Sequence, residues 1–262
     1  MTITSSIKRD YLINLAKKGK RTDGRKFNEY REINIEPDYI SNAEGSAKVE
    51  IGNTQVVAGI KIDLGEPYPD TPNEGVMTTA AELIPLASPN FEPGPPREDA
   101  VELARVVDRG IRESNVIDFE KLCIEPGEKI WIVFIDLHIL DYDGNLFDAC
   151  SLAALAALYK STVPVEKFDE LEGENFPLPM KEPPISCTSI KFDDAVVMDA
   201  SLDEEDIAEA RLTVSTDKNG DIRAMQKGLN GSFTVDEIKK VIKDSIDNGK
   251  KLRKILYKSV GK

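Results

Sequence analysis

Residues 129–158, KIWIVFIDLHILDYDGNLFDACSLAALAAL, hold the strongest structural signal in the chain. The first part, residues 129–140, is almost continuously apolar and therefore predicts a strand buried on both faces. Glycine and aspartate then mark a turn. Residues 146–159 are apolar nearly all round, which predicts a buried helix. A strand, a turn and a helix in succession indicate a layered domain that mixes helices and strands.

The turn DYDGN, residues 141–145, is open to three interpretations. A calcium loop of the EF-hand type needs glycine at its sixth position and glutamate at its twelfth, but here the twelfth is Leu152. A phosphate loop fits better, because backbone N–H groups at a helix start attract anions. However, Leu146 and Phe147 offer such an anion no side-chain hydrogen bond. The residues alone therefore favour a plain turn with Asn145 as the helix cap.

The chain before this stretch has the pattern of one helix, several short strands and a second helix. Apolar residues at helical spacing predict a helix over residues 3–18, with Gly19 as its end. Runs rich in strand-forming residues predict strands at 29–36, 46–52, 54–64 and 76–84. The Gly52–Asn53 pair predicts a tight hairpin, and a helix over 97–113 follows a proline-rich segment.

The chain after this stretch repeats the same pattern of short strands followed by a helix. Strands are predicted near 185–192, 194–199, 210–216 and 221–228. A closing helix begins near residue 235, where Thr234 and Glu237 make a capping box. A proline-rich segment lies between the two halves, so the pattern predicts a duplicated α+β architecture. The predicted domains are an N-terminal helix and arm at 1–28, an N-terminal lobe at 29–165, a proline-rich connection at 166–184 and a C-terminal lobe at 185–262.

The composition excludes some classes of protein. The 262 residues carry a formal net charge of −13, and 40% of them are hydrophobic. This is ordinary for a globular protein with a sizeable core, and it argues against a protein that coats nucleic acid over its whole surface. A local basic stripe stays compatible with it, because salt screens charges beyond about 10 Å. No apolar run approaches the ~20 residues that span a bilayer, and the N-terminus lacks a signal-peptide core, so a cytoplasmic protein with no membrane contact is expected.

Three further groups of reactive residues favour structural roles. Cys123, Cys150 and Cys187 have no C-x-x-C spacing, which argues against a zinc site or a disulfide framework and favours buried free thiols. His138, the only histidine, has no partner serine or cysteine motif and is interpreted as a satisfied buried group. The acidic segment 198–214 could bind a metal or supply a general acid, but a solvated turn is favoured on so negative a chain. No metal or cofactor is therefore expected.

The helix predicted over 97–113 carries an arginine face. At about 100° per residue, Arg105, Arg109 and Arg112 lie on one side of it, opposite the apolar residues. Such a face could follow phosphates along a nucleic-acid strand. It could also be a solvated face, because four acidic residues stand near the arginines at helical spacing: Glu98, Glu102, Asp108 and Glu113. The residues alone favour the solvated, salt-bridged face.

Several of these motifs occur together in one known family. The set consists of RTDGR at 21–25, the pattern I-D-x-x-x-L-x-x-D-G ending at Gly144, the helix pattern E-L-x-R-x-x-x-R-x-I-R at 102–112 and the E-E-D segment at 204–206. Together they resemble the RNase PH family of phosphate-dependent 3′→5′ exoribonucleases. The longer segment 65–114 is most similar to the non-catalytic branch of that family found in the core ring of archaeal exosomes.

The resemblance implies an architecture and partners. It implies a duplicated RNase PH fold, with an N-terminal lobe like domain 2 of ribosomal protein S5 and an RNase PH C-terminal lobe. It also implies a hexameric ring of three heterodimers with a catalytic RNase PH-like exosome subunit, S1/KH-type RNA-binding cap proteins on one face, and RNA in the central channel. In that family the arginine helix lies near the active-site cleft at the dimer interface. This favours RNA contacts for Arg105 and Arg109 and, more weakly, for Arg112 and Arg97.

The chain departs from catalytic members of the family at two places. After the D-G turn those members have residues that bind inorganic phosphate, whereas this chain has Asn145, Leu146 and Phe147. The E-E-D segment keeps Asp206, but Arg211 or a neighbour stands where a second aspartate is expected. The resemblance therefore implies a degenerate phosphate loop, no catalytic residue, and a non-catalytic, RNA-positioning subunit of an exosome. Two alternatives stay open: an active RNase PH-like phosphorolytic exoribonuclease, and an S5-fold RNA-binding module outside an exosome.

Overall fold

The computed structural model describes residues 3–262 of the chain. The predicted N-terminal arm begins with Met1 and Thr2, which lie outside the described residues. The first element is helix α1 (Ile3–Lys17), and Gly19, with φ of 68°, follows its end. The helix predicted over 3–18 is thereby confirmed.

The first sheet is built around the long apolar strand of the opening stretch. Its strands are β1 (Ile33–Pro37), β2 (Gly45–Ile51), β3 (Thr54–Gly65), β4 (Val76–Leu83), β5 (Cys123–Glu125) and β6 (Lys129–Asp141). Strand β6 lies between β3, to which it is antiparallel, and β4, to which it is parallel. Strands β2 and β3 form the predicted hairpin at Gly52–Asn53, where Gly52 has φ of 57°. Strand β1 begins four residues later than the predicted 29–36.

The prediction that β6 is buried on both faces is wrong. Burial alternates along the strand, so that Val133, Ile135, Leu137 and Ile139 are buried while the residues between them are partly exposed. In the described part of the chain, helices pack against the face of the buried residues, and the other face lies at the surface. His138 belongs to that second face. Its side chain is 42% exposed, with Nδ1 3.4 Å from a carboxylate oxygen of Glu82, so it has a partner but is not buried as predicted.

The remaining elements complete a layered architecture. They are α2 (Glu98–Arg112), α3 (Leu146–Tyr159), β7 (Thr162–Val163), β8 (Phe176–Pro177), β9 (Ile185–Phe192), β10 (Ala195–Met198), α4 (Leu202–Glu205), β11 (Ala210–Thr216), β12 (Ile222–Gly228) and α5 (Val235–Val260). The second sheet is antiparallel and has the order β10-β9-β11-β12. Helix α3 is buried at every residue from Leu146 to Leu158, which confirms the prediction of a buried helix.

Helices α2 and α3 lie between the two sheets. Small residues make some of their contacts with the second sheet: a Cβ on Gly110 of α2 would lie 3.2 Å from the Oγ of Ser215, and Ser151 of α3 hydrogen-bonds Ser186. The opposite face of the second sheet packs against α5, where Val241 meets Leu212 and its neighbours. Helix α5 is therefore the outermost layer of the C-terminal half.

The predicted α+β class, with two lobes of strands followed by a helix, is confirmed. The exact domain boundaries at 28, 165 and 184 stay a prediction. The three cysteines are free, and Cys150 and Cys187 are buried as predicted. Cys123 is partly exposed instead, because it lies on β5, a short strand that pairs with β6 at the margin of the sheet. In the described residues, no helix is both long enough and apolar enough to cross a membrane.

Candidate functional site

The loop between β6 and α3 touches the second lobe. Gly144 has φ of 90°, a left-handed conformation that favours glycine, and a Cβ there would clash with the carbonyl oxygen of Ala200. Asn145 follows with φ of 60° and starts helix α3. The glycine therefore lets the segment around α4 approach the start of α3 closely.

A carboxylate of the second lobe occupies the position where this loop attracts an anion. The backbone N–H of Asn145 donates to Glu205 Oε1 at 2.8 Å, and the Tyr142 hydroxyl donates to Glu205 Oε2 at 2.6 Å. Burial raises the pKa of the Glu205 carboxyl, while these two hydrogen bonds and the charge of Arg211 act in the opposite direction. The helix start thus has an anion, and the chain itself supplies it.

The side chains after Asn145 fill the adjacent space. Leu146 and Phe147 are 8% and 9% exposed. The guanidinium carbon of Arg211 lies 4.0 Å from the centre of the Phe147 ring, and Arg211 Nη2 donates to Glu102 at 2.5 Å. A cavity of about 210 Å³ remains beside them, lined by apolar residues, by Arg211 and by the carboxylates of Asp99, Glu102 and Glu205. The guanidinium of Arg211 is therefore held by an aromatic ring and a carboxylate.

Asn145 occupies the N-cap position of α3 as expected, but its side chain makes no capping hydrogen bond to the helix. Its Nδ2 donates instead to Asp148 Oδ2 at 2.9 Å and to Asp199 Oδ1 at 2.8 Å. The two nearby carboxylates accept both amide protons, and charged acceptors form stronger hydrogen bonds than neutral ones. Asn145 thus links the start of α3 to the second lobe.

Asp148 faces the second sheet and not an external anion. It is fully buried and accepts hydrogen bonds from the Tyr30 hydroxyl at 2.7 Å and from the N–H and Oγ1 of Thr188 at 3.0 and 2.8 Å. Burial raises the pKa of the Asp148 carboxyl to about 6, against the lowering effect of these hydrogen bonds. Asp148 is therefore a titratable group at the contact between the two lobes.

The RTDGR motif ties the N-terminal arm to the same place. Arg21 makes a two-pronged ion pair with Glu204, with Nε–Oε1 and Nη2–Oε2 distances of 2.9 and 2.6 Å, and both side chains are almost fully buried. Arg25 and Arg31 each pair with Asp199 at 2.8 Å. Burial acts to raise the pKa of Asp199, but the hydrogen bonds and charge of Arg31 outweigh it and the pKa is lowered. The RTDGR motif alone does not indicate these contacts, because the partners of Arg21 and Arg25 are Glu204 and Asp199, far away along the chain.

The predicted RNA-contacting arginines divide into two kinds. Arg105 and Arg109 are exposed, and among the residues that the structure describes they form no ion pair and no side-chain hydrogen bond. Arg112 is held by both oxygens of Asp108 and also donates to the Met77 carbonyl at 2.8 Å. Arg97 pairs with Glu92 at 2.5 Å, and its side chain is 73% exposed. Two of the four guanidinium groups are thus free for an external ligand.

Open surface grooves flank the two free arginines. One runs toward Gln226 of β12, and the other runs toward Tyr68 and Thr78. Glu102, which was a candidate partner for the arginine face, turns instead to Arg211. Salt bridges therefore hold Arg112 and Arg97, whereas Arg105 and Arg109 are exposed and unpaired among the described residues, and the RNA contact of the four arginines stays a prediction.

The acidic segment 198–214 has structural contacts. Asp199, Glu204 and Glu205 are engaged by the arginines, by Tyr142 and by Asn145, as described above. Asp206, the acid that the resemblance retains, is exposed. No group of three histidine, cysteine or carboxylate side chains in the described part of the chain could hold a metal ion.

Comparison with known families and proteins gives matches over most of the chain. Residues 29–164 match domain 1 of the 3′ exoribonuclease family, and residues 182–247 match domain 2 of that family. The chain is 54% identical to the exosome complex component Rrp42 of Methanocella arvoryzae, over 97% of each chain. It is 52% identical to the protein of the same name from Thermococcus gammatolerans, over 99% of this chain and 97% of the relative.

A solved structure matches over the same length. It is the Archaeoglobus fulgidus exosome with RNA bound to the active site, in which one chain superposes with a TM-score of 0.93. That chain is 49% identical, and the match covers 97% of this chain and 99% of the other. The expected duplicated fold and the expected family are thereby confirmed.

Proposed function

Because this chain belongs to the 3′ exoribonuclease family with its two RNase PH domains, we propose that it is a non-catalytic subunit of an archaeal exosome. In that complex it pairs with a catalytic RNase PH-like subunit, and three such heterodimers form a hexameric ring in the cytoplasm. Cap proteins with S1 and KH domains bind one face of the ring. The high identity to Rrp42 proteins along the whole chain supports this assignment.

The observation that carries the non-catalytic role is the contact between Glu205 and Asn145. A phosphorolytic enzyme must bind inorganic phosphate as a nucleophile. Here the N–H of Asn145 is donated to a carboxylate at 2.8 Å, so a phosphate would meet a like charge. Leu146 and Phe147 offer it no hydrogen bond, and Arg211 is already paired with Glu102.

The reaction that the complex performs is attack of a phosphate oxygen on the 3′-terminal phosphodiester of RNA. The bond to the ribose 3′ oxygen of the shortened strand breaks, and a nucleoside diphosphate is released. The phosphate site and the acid come from the catalytic subunit. The contribution of this chain is to hold the RNA backbone with Arg105 and Arg109, whose guanidinium groups form charge-assisted hydrogen bonds with phosphates.

Reconstitution with a catalytic RNase PH-like subunit tests this function. The expected result is a ring that shortens RNA only when phosphate is present, and whose activity is unchanged by Asp206→Asn in this chain. Failure to form a ring would favour an RNA-binding module outside an exosome. Loss of activity in an intact Asp206→Asn ring would favour an active enzyme with an altered phosphate site.

A further inference from the structure

Helix α5 and the two residues after it differ in charge from the rest of the chain. Residues 235–262 contain nine lysines and arginines and four acidic residues, a net charge of +5. Since the whole chain carries −13, the other 234 residues carry −18. The C-terminal helix is therefore a basic element on a strongly acidic protein.

The lysines of this helix form one exposed face, which also holds two exposed carboxylates, Asp236 and Asp247. At about 100° per residue the lysines lie within an arc of about 120°, opposite the buried Val241, Leu252 and Leu256. We call this set the lysine face: Lys239, Lys240, Lys243, Lys250, Lys251, Lys254 and Lys258, all exposed. At about 1.5 Å of rise per residue it is about 29 Å long.

The charge of the lysine face is largely unneutralised. Within the described residues, its one ion pair joins Lys239 to Asp236 at 3.7 Å, and Lys251 donates to the Asn248 amide oxygen at 3.2 Å. The helix dipole favours cations in the last turn and thus accounts for Lys258. It disfavours them near the first turns, where Lys239 and Lys240 lie. Helix stability therefore does not explain the whole face.

The composition of the face indicates the class of its ligand. Protein–protein interfaces are depleted of lysine at their centres and enriched in aromatic residues and arginine. On α5 the exposed large apolar side chains of the described chain are Val235 and Ile255, and the one arginine, Arg253, is buried against the carbonyls of Pro183 and Thr216. A line of flexible point charges with no apolar centre suits the backbone of a polyanion.

We propose that the lysine face binds the phosphate backbone of single-stranded RNA, at a surface separate from the α2 arginines. The identity of the polyanion rests on the proposed function, because RNA is the polyanion that the complex handles. The second sheet lies between α5 and α2, so the same short segment of RNA does not reach both. The lysine face would hold a part of the substrate that lies outside the path to the active site.

Binding of a labelled 30-nucleotide oligouridine to the full-length chain, followed by fluorescence anisotropy over a range of salt, tests the proposal. The test variant is Lys243→Glu with Lys250→Glu and Lys254→Glu. The matched control is Lys18→Glu with Lys20→Glu and Lys121→Glu, three exposed lysines elsewhere with the same change in charge. The test variant should bind the RNA at least about tenfold more weakly than the control. A plot of the logarithm of the binding constant against the logarithm of the salt concentration should also be less steep, by about 2 in slope, because each lost phosphate contact removes about 0.7.

Equal binding by the two variants, or parent-like binding by the test variant, would overturn the proposal. Parent-like RNA binding together with loss of ring assembly by the test variant would also overturn it, and would show that the face contacts a protein. The assay uses the chain without a partner, so it does not depend on exosome membership. If the chain forms no ring but the test variant loses RNA binding, the proposed function fails and the lysine face stands.

Discussion

Glu205 Oε1 lies 2.8 Å from the backbone nitrogen of Asn145 and accepts its hydrogen bond, so a carboxylate of the C-terminal lobe closes the anion position of a loop in the N-terminal lobe. The Tyr142 hydroxyl holds the second oxygen at 2.6 Å. One side chain therefore has two consequences. It joins the lobes, and it places a negative charge where a phosphate loop would receive its ligand.

Replacing Glu205 should destabilise the fold. In Glu205→Ala the N–H of Asn145 and the hydroxyl of Tyr142 lose their acceptor, and an unsatisfied buried donor costs about 1–3 kcal/mol. Urea denaturation measures the change in the free energy of unfolding. The control Glu209→Ala removes a carboxylate that is 44% exposed and should change stability by less than about 0.5 kcal/mol. Equal effects of the two changes would show that the Glu205 contact has no structural weight.

Asp148 should make stability depend on pH. Its folded-state pKa of about 6 lies above the ordinary 3.8, so the fold favours the protonated carboxyl. The stability that the protonated Asp148 carboxyl contributes to the fold is fully present at pH values below the ordinary pKa and is lost as the pH rises through about 6. Asp148→Asn cannot ionise and avoids that loss.

Relative to the parent, Asp148→Asn should therefore gain stability between about pH 4 and pH 7. The gain is up to about 3 kcal/mol, since each pH unit between the two pKa values is worth about 1.4 kcal/mol. Denaturation of both proteins across that range measures it. A difference between parent and Asp148→Asn that stays constant with pH would contradict the assigned pKa.

Arg21 should be a stability residue and not an RNA contact. Arg21→Ala leaves the buried Glu204 carboxylate without its two-pronged partner, and removal of one member of a buried pair costs about 3–5 kcal/mol. The neighbouring Lys20 is exposed, so Lys20→Ala should have little effect. Thermal or urea denaturation of the two variants provides the comparison. An Arg21→Ala protein as stable as Lys20→Ala would mean that the ion pair contributes nothing.

Arg105 and Arg109 should contribute to RNA binding and should not be needed for ring assembly. The double change Arg105→Glu with Arg109→Glu should slow phosphate-dependent RNA decay by the reconstituted ring at least about tenfold, because two phosphate contacts of about 1.5–3 kcal/mol each are lost. Arg9→Glu with Lys17→Glu makes the same change in charge on α1 and should leave decay unchanged. Size-exclusion chromatography checks that both rings form. Decay at the parental rate would show that the two arginines face solvent in the complex.

Local patterns predicted much of the fold. The β6–turn–α3 succession, the β2–β3 hairpin and the start of α5 at Val235 follow from apolar periodicity, turn residues and a capping box, which are all local properties. The burial of both faces of β6 was predicted wrongly for a physical reason. An apolar run does not reveal whether a second layer covers it.

The candidate site depended on contacts that local patterns do not encode. Asn145 and Glu205 are 60 residues apart, and Arg21 and Glu204 are 183 residues apart. The sequence shows that the loop lacks side chains that would bind phosphate, but only the fold shows that a carboxylate occupies the anion position. In the same way, the spacing of the α2 arginines did not show that Asp108 holds Arg112 and leaves Arg105 and Arg109 free.

Release of nucleoside diphosphates from RNA by the isolated, folded chain tests most directly whether the chemistry resides in the partner subunit and not in this chain. The chain should release none at any phosphate concentration, whereas the ring formed with a catalytic subunit should release them in proportion to bound phosphate. Release by the isolated chain that rises and saturates with phosphate, and is lost on Asp206→Asn, would contradict the claim.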